Sequence, residues 1–197
     1  GRTGACWSYS TSSFLESELI RTGKGTHNLS EIFIARQVYL TKADNYVRRH
    51  GKTQFGEGSL GHDLLNAVDD YGIVPHDVFT GLQTESEVHN HSELASILEN
   101  YVKAVVSNKG KKLTPLWKKG YESLLDVYLG EYPESFTYEG KEYTPRSFAN
   151  SLGIRATDYT TMTSYTHKPF YRSFILGIPD NWDNGTFYNV PLSDLVV

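Results

Sequence analysis

Apolar positions in the first three-quarters of the chain recur at helical spacing, broken by glycine and proline. From Cys6 to Arg21, Trp7, Thr11, Phe14, Leu15 and Leu19 share one face, and Gly23 stands where a left-handed residue ends a helix. Asn28 followed by Glu31 reads as a capping box for a second helix through Ile32, Ala35, Tyr39, Ala43, Tyr46 and Val47, ending at Gly51. Glycines 56, 58 and 61 mark a loop. Leu64, Leu65, Val68 and Tyr71 form a third helix closed by Gly72, and Pro75 prevents its continuation. Asn90 and Glu93 repeat the capping pattern before Leu94, Ile97, Leu98, Tyr101, Val102 and Val105, a helix running towards Gly110. Thr114-Pro115 opens a fifth helix, through Leu116, Tyr121, Leu124 and Tyr128 to Gly130.

The pattern then changes period. FTYEGKEYT reads as a hairpin turning at Glu139-Gly140, and Thr144-Pro145 starts a short helix through Phe148 and Leu152 to Gly153. TSYTHKPFYRSFILGIP and GTFYNVPL are rich in aromatic and β-branched residues and predict strands. A mainly helical first 155 residues followed by an extended last 40 gives an α+β chain.

Composition narrows the function classes. At 197 residues with 39% hydrophobic content, the chain can bury one substantial core. A net charge of -4 supplies no basic field, so nucleic acid is not an expected partner. No apolar run approaches a membrane span, and the single cysteine excludes an internal disulfide or a thiolate-rich zinc site. These features fit a cytoplasmic protein without a cofactor. Gly1 opens in the middle of a motif, from which we expect the chain to be part of a longer protein.

The one cysteine is placed for chemistry. Cys6 follows Gly4-Ala5 at the start of the first predicted helix, where unsatisfied backbone N–H groups and the helix dipole favour thiolate over thiol. The same donors can hold an oxyanion formed when a thiolate attacks a carbonyl. A buried cysteine acting as a small hydrophobe has equal standing on these grounds alone.

The residues CWSYS resemble the nucleophile segment of papain-like cysteine peptidases, and Gly58-Ser59, a helix and Tyr71-Gly72-Ile73 resemble that family's glycine pair and the helix after it. CWSYSTSSFLESELIR, LSEIFIARQVYLTKADNYVRRHG, THKPFYRSFILGIPDNW and FYNVPL look like the bleomycin hydrolase and aminopeptidase C branch. The resemblance implies a helical lobe with the nucleophile helix over 1–83, a helical insertion over 84–157, and extended segments leading into a β-rich lobe over 158–197, all one compact unit. It implies a thiol aminopeptidase acting on peptides and assembled as a homo-oligomer, often a hexamer. Cys6 is then the nucleophile and a backbone oxyanion donor, and Gly58 and Ser59 present main chain to the substrate. Serine in place of the second glycine is expected to narrow the adjacent subsite.

The resemblance also implies missing parts. The oxyanion glutamine falls just before Gly1, and the catalytic histidine and asparagine fall beyond Val197, so residues 1–197 alone should be inactive. The alternative is a catalytically silent interaction or assembly module. An internal rival pairs His167 with Asn181-Trp182, although Lys168-Pro169 interrupts the strand that should follow the histidine. His89 and His91, with His76 or Asp77, form a weaker metal-binding candidate, and both read more simply as solvated loop residues. His62-Asp63 is a possible orienting pair, but Asp63 reads as a first-turn acid. Lys109 to Lys112 reads as a solvated basic loop.

Overall fold

The computed structural model describes residues 2–86, 88–110 and 112–196. Gly1, where the motif opens, and Lys111, in the basic loop, lie outside the described residues. The chain is α+β. Its helices are α1 (Cys6–Arg21), α2 (Glu31–Arg48), α3 (Gly61–Tyr71), α4 (Ser92–Val106), α5 (Leu116–Leu129), α6 (Pro145–Leu152) and α7 (Leu192–Leu195). A hairpin of β1 (Phe136–Tyr138) and β2 (Lys141–Tyr143) precedes α6. Beyond α6 come β3 (Met162–Thr163), β4 (Arg172–Ile175) and β5 (Thr186–Asn189), a sheet ordered β3-β5-β4. β5 runs parallel to β3 and antiparallel to β4, with Phe174 opposite Phe187.

The helix α2 is the centre of the molecule, touched by α1, α3, α4 and α5. The sequence predicts a single stripe on it, but it is buried almost all round, from Ile32 through Tyr39 and on to Lys42, Ala43 and Tyr46. Its two buried cations are paired with backbone carbonyls and a carboxylate, although Arg36 Nη1 is left without a partner among the described residues. Arg36 donates to the Gly130 carbonyl at 3.2 Å and pairs with Asp126, tying α2 to the C-terminal end of α5. Lys42 turns the other way, towards the glycine loop before α3.

Several helix ends differ from expectation. Ser30, rather than Asn28, caps α2, accepting the Phe33 N–H at 3.1 Å. Pro115 sits at the N-cap of α5 and not at its first helical position. His91 is the N-cap of α4, with Asn90 accepting the Ser92 N–H from one residue further out, and α4 ends at Val106, well before Gly110. Phe14 is exposed on α1, because Ser8 and Ser12 occupy the buried face with Leu15 and Leu19. Small serines let α1 approach α2 closely, and Ser8 Oγ donates to the Glu31 carbonyl at 2.9 Å. Leu116 is likewise exposed, the buried stripe of α5 being Tyr121, Leu125 and Leu129.

The hairpin turns at Glu139-Gly140, both with positive φ, and its aromatic face covers Phe148 of α6. The expected long strand through THKPFY is a turn instead. Asn189 organises it, donating to the carbonyls of Tyr165, Lys168 and Pro169 at 3.0 to 3.1 Å. Proline at 169 removes the N–H that a strand there would need.

Candidate active site

The first turn of α1 is built against the loop before α3. Ala5 is the buried N-cap and Cys6, the first helical residue, is exposed. The N–H groups of Cys6 and Trp7 have no acceptor among the described residues, as expected for a helix start open to a ligand. Glu57 holds this turn from both sides. Its carboxylate accepts the Gly4 N–H at 3.1 Å, and its carbonyl accepts the Trp7 indole N–H at 3.1 Å. A Cβ on Gly4 would overlap the Glu57 side chain, so only glycine permits this approach.

The segment 56–59 is thereby brought beside Cys6. Beneath it, the Lys42 ammonium donates to the Gly56 carbonyl at 2.7 Å and to the Gly58 carbonyl. Burial pushes Lys42 down to about 8, against the opposing pull of the Asp63, Asp180 and Glu57 carboxylates. Ser59 is 4% exposed, and its hydroxyl accepts the Trp182 indole N–H at 2.9 Å. Its side chain is thus held in the interior rather than presented at the surface of the segment. Trp182 is fixed in turn by Asn45 and Thr53, which donate to its carbonyl at 3.1 and 3.2 Å.

The histidines divide differently from expectation. No histidine among the described residues is hydrogen-bonded to Cys6. His167 is exposed on the turn, edge-on to Tyr165. Its proposed partner Asn181 is buried and uses its amide within its own loop, donating to Leu176 and Gly185 carbonyls and accepting the Gly185 N–H. That asparagine does not orient His167. His91 is no solvated loop residue: it is 4% exposed, has no partner for either ring nitrogen, and is pushed down to about 4 by burial and by neighbouring His89. Its backbone and that of His89 pair with Arg2, anchoring the strand that leads to Cys6. Lys109, Gly110 and Lys112 are exposed, as a solvated loop requires.

His76, Asp77, His89 and His91 form no metal-ligand cluster. Among the described residues, the group with ligand atoms close enough is His62, Asp63 and Asp183. Asp63 is the first-turn acid expected of it, accepting the Leu60 N–H at 2.8 Å at the start of α3. His62 pairs with Asp183 at 3.1 Å, and Asp183 also accepts the Gly185 N–H. The capping bond of Asp63 and the His62–Asp183 pair occupy part of this group, while His62 Nδ1 is buried without a partner among the described residues.

Sequence reasoning missed Glu57 and Lys42, and named Trp182 only beside Asn181, without its contact with Ser59. Lys42 carried a signal, since it lies three residues after Tyr39 and four before Tyr46, on the stripe otherwise reserved for apolar side chains. Glu57 carried none, because its contacts join segments 50 residues apart. Comparison with protein-family models and with curated proteins finds no match to this chain.

Proposed function

We propose that Cys6 is the nucleophile of a thiol peptidase of aminopeptidase type, and that residues 1–197 are the helical lobe of a papain-like enzyme. The observation that carries this reading is the exposed thiol at the open N-terminus of α1, locked by Glu57 to a glycine segment with unused backbone donors. In this reading the Cys6 thiolate attacks the peptide carbonyl and its backbone N–H holds the developing oxyanion. The amine leaves with a proton, and water then hydrolyses the thioester. In this reading the base that takes the thiol proton is, as the family resemblance implies, a histidine outside residues 1–197. The remaining family properties, a peptide substrate and a homo-oligomeric assembly, come with the same proposal.

Turnover of aminoacyl fluorogenic amides tests it. Residues 1–197 alone should turn over negligibly, whereas the full-length polypeptide should be active and lose at least about a thousandfold with Cys6→Ala. Activity indifferent to Cys6→Ala would overturn the reading. The absence of a bonded histidine also favours a second reading, a silent interaction module, which a folded but inactive full-length polypeptide would select.

A further inference from the structure

Backbone carbonyls of residues 56–58 are fully committed to the interior. Gly56 and Gly58 accept from Lys42, and Glu57 accepts from Trp7. By contrast, the Gly58 and Ser59 N–H groups and the Ser59 carbonyl have no partner among the described residues. Ser59 is buried, so of these groups the N–H of half-buried Gly58 is the one open to a peptide lying along this segment, while the Gly58 carbonyl is drawn away from it.

We propose that Lys42 is a positioning residue for peptide substrates: by drawing the Gly56 and Gly58 carbonyls inward, it sets the register of the edge that an extended peptide meets beside Cys6. The proposal rests on the thiol-peptidase reading and specifies how that site binds. Lys42 suits the role because it is 2% exposed and its Nζ lies 5.7 Å from the Trp182 ring centre, so its head group has little freedom to swing away. The charge strengthens its hydrogen bonds to the two carbonyls. The carboxylates facing it, Asp63 from α3, Asp180 from the loop before β5 and Glu57 from the segment itself, oppose the effect of burial. The ammonium is therefore charged at neutral pH and discharges in mildly alkaline solution.

The test compares two reagents at Cys6 in the full-length polypeptide, a dipeptidyl chloromethyl ketone and iodoacetamide, scored by mass. The ratio of their rates cancels the thiolate fraction and reports peptide binding alone. The wild-type ratio should exceed that of free cysteine. Lys42→Met should lower it by about tenfold while iodoacetamide labelling stays within about twofold, and Lys42→Arg, which can still donate to both carbonyls, should retain most of it. The wild-type ratio should fall between about pH 7 and about pH 9, with Lys42→Met flat across that range. An unchanged ratio in Lys42→Met, or a wild-type ratio independent of pH, overturns the role of Lys42 while leaving the peptidase reading standing. A wild-type ratio no higher than that of free cysteine defeats the peptidase reading itself. The pH arm uses unmodified protein, so it decides even if Lys42→Met fails to fold.

Discussion

Ser59 illustrates how far a residue's part in a site depends on where its side chain goes. From sequence, the hydroxymethyl group seemed an obstruction beside the substrate, since a glycine stands there in the related pattern. In the fold it is a structural acceptor for the buried Trp182 indole. Ser59→Ala therefore strands a buried N–H donor, and urea denaturation should show a loss of about 1–3 kcal/mol, with no change in peptide preference under the proposed peptidase reading. A variant of full stability with a broadened peptide preference would return Ser59 to the subsite wall. Cys6 was legible because its neighbours in sequence are also its neighbours at the helix start. Lys42 showed itself only as a cation on an apolar stripe, without its partners, and the contacts of Glu57 and Trp182 span separations that no local pattern records.

At the scale of elements, the cores of helices were easier to read than their ends. The interior of each of α1 to α6 follows largely from its apolar spacing, whereas N-caps moved by a residue or two wherever polar residues compete, as between Asn28 and Ser30. Apart from Gly110, which α4 does not reach, glycine stops were firm signals, for two different physical reasons. Gly23 and Gly72 both have positive φ, but Gly23 faces open space, while a Cβ on Gly72 would overlap the Pro145–Arg146 backbone. Gly72 thus fixes how closely the end of α3 meets the start of α6, where the Ile73 N–H donates to the Pro145 carbonyl. Gly23→Ala should cost about 1 kcal/mol, the strain of the left-handed conformation alone. Gly72→Ala adds a collision with backbone that cannot rotate away, and should cost about 3 kcal/mol or more. Equal melting of the two variants in urea would show that α6 yields freely, contrary to this packing.

For the whole molecule, the pair His62–Asp183 ties α3 to the loop that enters β5, and so joins the helical part to the sheet. Burial opposes charge on His62, but the Asp183 hydrogen bond and the Asp63 and Asp183 carboxylates outweigh it and raise the imidazole. Burial likewise opposes charge on Asp183, and the His62 hydrogen bond and charge, helped by the Gly185 N–H, bring it below the usual carboxylate range. The raised histidine contributes stability in full below its ordinary value and loses it as pH rises through its folded value. The depressed aspartate contributes above its ordinary value and loses it as pH falls through its folded value. The ion pair therefore stabilises the fold chiefly between about pH 4 and about pH 6.5. Burial raises Asp63, which acts in the opposite sense, and its carboxylate lies only 3.6 Å from His62, ready to replace part of what Asp183 provides. Asp183→Asn, whose side-chain oxygen can still accept the Gly185 N–H, should thus cost only about 1 kcal/mol at pH 5.5. As His62 discharges towards about pH 8.5, the deficit should shrink to a few tenths of that. Urea midpoints measured at the two pH values check this, and a deficit of the same size at both would mean that the contact joining α3 to the sheet is an ordinary hydrogen bond, with no ionic part.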